Sequence, residues 1–357
     1  MTASVAPPAP PSSPVPGLLR EAIARLVERQ DLTASEMSAV VGQIMDGEGT
    51  PALIGALLVA LRMKGETVAE IVGAAQAMRA RMTPVSVRHD QVLDTCGTGG
   101  DGSRSVNIST LASFIIAGCG VPVAKHGNRA QSSRSGSHDV IEALGLKPAP
   151  SPEEAARCLH EANLAFMFAP AHHAATRHVA AVRKELAMRT MFNLLGPLTN
   201  PCGARFHVNG IFSRERCEPL ARAHGDLGSK RALVVHGAGG LDEIAPAGNT
   251  HVAELNDGGV RVYEIGPADF GLEPADPAGL LGGEPAFNAS VITEALNGRA
   301  HAAVQNAALM AAAAGLYVMG AASDLRDGTR RAAEALRSGA ARAVLDKLRS
   351  IVPLAAA

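Results

Sequence analysis

Two glycine-rich segments carry the side chains with chemistry. The first runs Asp94-Thr95-Cys96-Gly97-Thr98-Gly99-Gly100-Asp101-Gly102 and continues through Ser105 to Asn107-Ile108-Ser109-Thr110. The second runs Lys125-His126-Gly127-Asn128-Arg129-Ala130-Gln131-Ser132-Ser133 and is followed by Ser135-Gly136-Ser137. Each follows a short apolar run, Val92-Leu93 or Val121-Pro122-Val123-Ala124, and each leads into a helix-like stretch. Glycine lets a backbone approach a ligand closely and adopt positive φ. Successive N–H groups at such a turn, feeding a helix N-terminus, form a concave anion site. A glycine run alone marks only a tight turn, but here Ser, Thr and Asn donors surround both turns and Lys125 and Arg129 join them. The chemistry implied is the binding of a ligand with more than one phosphate. The P-loop is excluded because no Gly-Lys-Ser/Thr closes the first segment, and the dinucleotide fingerprint is excluded because it needs a Gly-x-Gly-x-x-Gly that opens a helix, with an acid about 20 residues on.

A polyphosphate normally arrives with Mg²⁺, held by one or two carboxylates together with substrate oxygens and water. Asp242-Glu243, just past the apolar run Ala232–Val235 and a glycine turn, is a candidate pair. On local sequence alone a helix cap explains it better. Arg183, followed by Lys184-Glu185, reads locally as part of an exposed helix face. His172 and His173 are adjacent and cannot face one metal from a helix, so they are expected to pack or to line a pocket.

These segments must be positioned by a chain of 357 residues, long enough for two domains. With 47% hydrophobic and 19% charged residues and a net charge of -1, it reads as an ordinary soluble globular protein, without the bulk charge that nucleic acid or a membrane surface would attract. Aromatic residues make up 3% and Trp is absent, which argues against base-stacking platforms. The five cysteines are scattered without a Cys-x-x-Cys pair, so structural zinc and a disulfide framework are not expected and a reducing cytoplasm is. Residues 1–16, rich in Pro, Ala and Ser and uncharged, lack the basic start of a signal peptide and read as a disordered tail. The stretch from Ala302 to Ala322 contains Gln305 and Asn306 and reads as a buried helix rather than a membrane span.

From Gly17 to Met82 the pattern is helical throughout. Thr33 with Glu36 and Thr67 with Glu70 form capping boxes, and Thr50-Pro51 is an N-cap followed by proline at the first helical position. After Arg88 short strands and helices alternate. The expected elements are strands at Val92-Leu93, Val121–Ala124, Leu164–Phe168, Phe206–Ile211 and Ala232–Val235, and helices at Ser109–Ala117, from Gly136 and after Ser151-Pro152. A hairpin joins His251–Leu255 to Val260–Ile265 through Asn256-Asp257-Gly258-Gly259, and helices return from Asn288 to the end. Alternation of this kind implies a mainly parallel sheet covered by helices, hence an α/β fold class.

Four stretches together resemble the anthranilate phosphoribosyltransferase family. They are the two glycine-rich segments, the run from Phe168-Ala169-Pro170-Ala171-His172-His173 through Arg183-Lys184-Glu185-Leu186 to Arg189-Thr190-Met191-Phe192-Asn193-Leu194-Leu195-Gly196-Pro197-Leu198-Thr199-Asn200-Pro201, and His236-Gly237 to Leu241-Asp242-Glu243. The resemblance covers the chain from about Gly17 onward, in order and spacing. It implies a small all-helical domain (17–82, with added helices from about 174–195) joined by a hinge to a larger α/β domain (88–357), with the active site in the cleft. The implied reaction transfers the 5-phosphoribosyl group of phosphoribosyl pyrophosphate to the amine of anthranilate, in tryptophan biosynthesis. Gly97, Gly100, Asp101, Ser105, Asn107, Ile108, Ser109, Thr110, Lys125, His126, Gly127, Asn128, Arg129, Ala130, Gln131, Ser132, Ser133 and Ser137 would bind phosphoribosyl pyrophosphate. Gly97, Asn128 and Arg183 would meet anthranilate, and Ser109, Asp242 and Glu243 would hold Mg²⁺, two ions per subunit. No protein nucleophile or general base is required. The family also implies a homodimer, formed through the helical domain. Three positions depart from the usual pattern: Gly239 stands where the family has an acid, His138 where it has alanine and Ala187 where it has glycine.

Two other readings share the fold. A pyrimidine nucleoside phosphorylase would build its phosphate site differently around the first loop and add a third C-terminal domain, for which this chain is too short. A non-catalytic nucleic-acid-binding relative would be basic and would lack Arg183 and Asn128. Fusion to a glutamine amidotransferase would place a cysteine-centred segment before Gly17, and none stands there.

Overall fold

The computed structural model describes residues 17–89, 91–130 and 134–354. The segment 1–16 and three of the candidate phosphate contacts, Gln131, Ser132 and Ser133, lie outside the described residues.

The chain opens with α1 (Gly17–Val27), α2 (Ala34–Met45), α3 (Pro51–Lys64) and α4 (Val68–Arg79). Both expected capping boxes form, Thr33 with Glu36 and Thr67 with Glu70, and Thr50 caps α3 ahead of Pro51. Each cap satisfies amides that a helix start leaves open, worth about 1 kcal/mol. Glu70 also acts beyond its own helix. Fully buried, it accepts the Leu32 N–H at 3.0 Å and meets Lys64 Nζ at 3.0 Å, tying the entry to α2 and the end of α3 to the start of α4.

The alternating region then supplies β1 (Leu93–Asp94), α5 (Ile108–Gly118), β2 (Val123–Gly127), α6 (Ser137–Ala143), α7 (Pro152–Ala162) and β3 (Leu164–Phe168). Next come α8 (Ala169–His172), α9 (Arg177–Leu186), α10 (Phe192–Leu195), β4 (Phe206–Gly210), α11 (Cys217–Asp226), β5 (Arg231–Gly237), β6 (Thr250–Asn256) and β7 (Gly259–Ile265). The chain ends in α12 (Pro285–Leu296), α13 (Ala302–Val318), α14 (Leu325–Arg337) and α15 (Ala340–Ile351).

One sheet has the order β3-β2-β1-β4-β5-β6-β7. Its first five strands are parallel, while β6 and β7 add an antiparallel hairpin at one edge. The hairpin turns at Asp257-Gly258 with φ of 46° and 81°, the geometry that Asp-Gly supplies. After β1 the chain moves outward through β2 to β3, then returns to the other side of β1 as β4. The strand order therefore reverses between β1 and β4, and in such sheets ligands bind beyond the carboxyl ends of the strands at that point.

Two apolar cores lie against the sheet. One joins α5, α7, α12, α13, α14 and α15 to it, and α13 is buried along nearly its whole length. Among the described residues no helix is long and apolar enough to cross a membrane. The other core unites α1–α4 with Val179 and Val182 of α9, Phe192 and Leu195 of α10, and Leu220 and Ala221 of α11. Arg79, at the end of α4, links the helical bundle to the rest by donating to the carbonyls of Leu198 at 2.6 Å and Leu227 at 3.0 Å.

Several strand ends shift from the expected ones, and two of these shifts bear on the site. β1 begins one residue later and includes Asp94, and β2 runs from Val123 to Gly127. Lys125 and His126 therefore lie in a buried strand and not in the turn after it, because β2 keeps pairing with β3 through Gly127–Phe168.

Candidate functional site

The first glycine loop leaves β1 at the strand reversal. Gly99, Gly100 and Gly102 take φ of 66°, 74° and 79°, a region open to glycine at little cost. Thr98 donates its N–H to the carbonyl of Gly210, at the end of β4, at 2.9 Å. Gly210 must itself lack a side chain, since a Cβ there would sit 1.5 Å from the Asp242 carbonyl oxygen. The loop after β1, the end of β4 and the Asp242-Glu243 turn after β5 thus converge. Between them lies a small cavity bordered by Thr95, Gly97, Ser109, Gly210 and Glu243, with Ala112, Val208 and Ala311 beneath.

The acids at this point repel one another. Glu243 Oε1 accepts the Ser109 N–H at 3.0 Å, near the N-terminus of α5. Burial nevertheless raises its carboxyl to about 7, against the opposing pull of Lys125 and Ser109. The Asp242 carboxyl is pushed well above the usual range by burial first, then by Asp101 and Glu243. Both residues keep a partly open face. Asp101 accepts the Asp242 N–H at 3.2 Å and the Ser103 N–H at 3.0 Å, bringing a third carboxyl to the group. Desolvated, mutually repelling carboxylates beside a hydroxyl form the oxygen-donor set that a hard divalent cation takes, so Ser109, Asp242 and Glu243 fit Mg²⁺.

Lys125, 3% exposed, donates from Nζ to the Thr95 carbonyl at 2.8 Å and to Ser109 Oγ at 3.1 Å, which joins the second segment to the first. His126 turns inward, its N–H donating to Asp94 Oδ1 at 3.2 Å and its Nδ1 lying 3.1 Å from the Gly196 carbonyl. Burial raises the Asp94 carboxyl to about 6, opposed by Asn200 and Lys125. Ligand atoms of Asp94, Cys96 and His126 lie within 4.8 Å of one another. Burial keeps the Cys96 thiol protonated, and Asp94 and His126 already serve the backbone, so this trio is a structural pin beneath the site.

The remaining candidates divide by what they touch. Ile108 is the buried first residue of α5, and Thr110 is buried with no hydrogen bond at Oγ1 among the described residues. The Gly100 carbonyl accepts from Arg189. Ser105 bridges to Leu281. Asn107 does not cap α5. Its side chain donates to the Ser135 carbonyl at 3.3 Å and accepts from Asn288 at 2.9 Å, locking the two segments to α12. Gly127 lies against Ser137, whose Oγ donates to the Asn128 carbonyl at 3.3 Å. Asp139 accepts from the backbone of Ala130 and Gly136 at 2.8 and 2.9 Å. Arg129 pairs with Asp139 at 2.9 Å and Glu142 at 2.7 Å, so its guanidinium braces the loop onto α6 instead of standing free for a phosphate.

Arg183 lies on α9 with its guanidinium 5.6 Å from the centre of the Phe192 ring. It has no hydrogen-bond or ion-pair partner among the described residues, and burial lowers its pKa. Such an unpaired, desolvated cation suits a carboxylate. The three departures have plain structural consequences. Ala187 ends α9 at φ 47°, a left-handed position that favours glycine. His138 is fully buried with its ring 4.9 Å from that of Phe168, and burial together with Lys125 and Arg129 lowers its pKa to about 3. Gly239 takes φ 77° inside the turn before Asp242. Sequence reasoning missed Arg189, whose guanidinium stacks 4.3 Å over Phe212, and the bracing role of Asn288. Nothing local marks either, since their partners lie far along the chain.

The chain matches known proteins along nearly its whole length. Residues 89–342 match the family described as Glycosyl transferase family, a/b domain, and residues 20–82 match its helical bundle domain. An anthranilate phosphoribosyltransferase from Myxococcus xanthus is 51% identical over 331 residues, covering 92% of this chain and 98% of that protein. One from Methylocella silvestris is 49% identical over 330 residues, covering 92% of this chain and 94% of that protein. The crystal structure of the Thermus thermophilus anthranilate phosphoribosyltransferase superposes with a TM-score of 0.88 at 42% identity, covering 92% of this chain and 98% of that one. The Saccharomyces cerevisiae enzyme in complex with phosphoribosyl pyrophosphate and Mg superposes at 0.85 with 26% identity, covering 94% and 98%. With near-full-length identity of this order added to the convergent loops, the chain belongs to the anthranilate phosphoribosyltransferase family and is an enzyme of that family.

Proposed function

We propose that the protein transfers the 5-phosphoribosyl group from phosphoribosyl pyrophosphate to the amine of anthranilate, releasing pyrophosphate, as a cytoplasmic step of tryptophan biosynthesis. The observation that carries this reading is the meeting of the first glycine loop, Lys125, Ser109 and the Asp242-Glu243 turn at the strand reversal, within a chain of this family.

The bond from C1 of the ribose to pyrophosphate breaks through an oxocarbenium-like transition state, as in other glycosyl transfers. Negative charge gathers on the leaving group, so the protein acts mainly by positioning and electrostatics. In this reading the glycine loop from Gly97 to Asp101 turns N–H groups toward the pyrophosphate, and Lys125 with the start of α5 supports the same charge. Ser109, Asp242 and Glu243 hold magnesium, two ions per subunit, with Asp101 beside them. Magnesium, when bound, offsets the charge developing on pyrophosphate. Arg183 holds the anthranilate carboxylate, while Asn128 and Gly97 lie near the amine. That amine is neutral at pH 7 and attacks without a strong base.

The acceptor assignment has a sharp test. A charge-assisted hydrogen bond is worth about 1.5–3 kcal/mol. Arg183→Ala is therefore expected to weaken use of anthranilate about 10- to 100-fold while the affinity for phosphoribosyl pyrophosphate changes little. Separate titrations of the two substrates check this. Loss of phosphoribosyl pyrophosphate binding instead would place the acceptor elsewhere, and no consumption of anthranilate by the unmodified protein would remove the reading itself.

We further propose a homodimer formed through the helical bundle. There Val27, at the end of α1, and Met63, on α3, are 65% and 72% exposed, apolar surface that a second copy would cover. Sedimentation at micromolar concentration should give twice the chain mass. A single monomer species would contradict it.

A further inference from the structure

β4 is buried along its length, yet it carries two polar residues, His207 and Asn209, on the same face. That face meets His224 of α11. The His207 and His224 rings lie 4.2 Å apart, and His224 Nε2 is 2.7 Å from Asn209 Oδ1. Asn209 Nδ2 in turn donates to the Cys96 carbonyl at 2.7 Å, and His224 Nδ1 lies 3.1 Å from Ser229 Oγ.

The protons along this chain follow from one another. A carbonyl can only accept, so Nδ2 and not Oδ1 of Asn209 faces Cys96. Oδ1 then faces His224 and requires the proton on Nε2. Burial keeps the imidazole neutral, so Nδ1 accepts from the Ser229 hydroxyl. Each member has a single permitted orientation.

The last link bears on the cavity. The Cys96 carbonyl and the Gly97 N–H belong to one planar trans peptide and point in opposite directions. Fixing the carbonyl on Asn209 fixes the N–H on the other side. Gly97 borders the cavity, and its N–H donates to nothing among the described residues. Burying the three polar side chains of His207, Asn209 and His224 beside a sheet costs free energy that apolar residues would avoid, so fold stability alone gives little reason for them.

We propose that Ser229, His224 and Asn209 are positioning residues that hold the Cys96–Gly97 peptide so that the Gly97 N–H is presented to the pyrophosphate of the substrate. This rests on the phosphoribosyl transfer proposed above. The test combines steady-state kinetics of the full chain with calorimetric titration of magnesium pyrophosphate, which needs no turnover. Asn209→Leu should raise the KM for phosphoribosyl pyrophosphate and the Kd for magnesium pyrophosphate about 10-fold, with the KM for anthranilate within about two-fold. Asn209→Asp should lose more, because its second oxygen would face the Cys96 carbonyl and favour a turned peptide. His224→Leu should follow Asn209→Leu, and His224→Gln, whose amide can donate in place of Nε2, should recover most of that loss. If Asn209→Leu does not fold, the two His224 variants decide the question. A folded Asn209→Leu or His224→Leu protein that keeps its affinity for magnesium pyrophosphate, or weakens both substrates equally, would overturn the proposal. Tight binding of magnesium pyrophosphate by an unmodified protein that consumes no anthranilate would count against the transfer reaction and leave this positioning role standing.

Discussion

Glu243→Gln is expected to lower turnover by about 10² or more, since stabilising charge on the leaving group through a metal is worth several kcal/mol, at about 1.4 kcal/mol per decade. The substitution keeps the size of the side chain and an oxygen able to accept the Ser109 N–H, now made at 3.0 Å. It removes the negative charge that would hold magnesium. The loss should therefore appear as weakened magnesium dependence, with the variant needing far more of the ion to reach its own maximum. Glu243→Gln with full activity at limiting magnesium would show that the acid pair caps the turn and nothing more.

Lys125→Met should be as damaging, and for a different reason. Lys125 is buried among Thr95, Ser109 and the carboxyls of Asp94 and Glu243, whose protonation its charge opposes. Removing one partner from buried charges costs about 3–5 kcal/mol, or about two to three and a half decades at about 1.4 kcal/mol each. That loss should divide between thermal stability and affinity for phosphoribosyl pyrophosphate. Without the lysine, Asp94 and Glu243 should hold their protons to higher pH. Binding titrations of each substrate and a melting curve separate the contributions. Unchanged affinity for phosphoribosyl pyrophosphate would mean that Lys125 serves only the fold.

Much of this arrangement is legible in the sequence because it is local. The capping boxes at Thr33 and Thr67 need only a residue and its third neighbour, and both form, while the helix expected after Ser151-Pro152 starts on a third. The Asp257-Gly258 turn sets its own hairpin. The illegible parts depend on distant partners. Local composition could not show that Arg129 would be held by Asp139 and Glu142, since an arginine in a glycine-rich loop looks free until α6 folds beside it. Nor could it show that Asn107 would lock to Asn288, or that Asp101 would reach the Asp242 backbone, contacts across 181 and 141 residues. The strand assignment of Lys125 depends likewise on β3 continuing to pair with β2 past Ala124. Asp242-Glu243 is ambiguous as a sequence and becomes a candidate cation site only when Gly210 lets the turn close over β4.

The central claim is transfer of the phosphoribosyl group to anthranilate, and its most direct test follows the loss of anthranilate fluorescence on mixing the protein with phosphoribosyl pyrophosphate and Mg²⁺. The expected result is a decay that requires all three components and releases one pyrophosphate for each anthranilate consumed. No decay with anthranilate, alongside cleavage of thymidine by phosphate, would contradict the account and assign the cleft to a nucleoside phosphorylase.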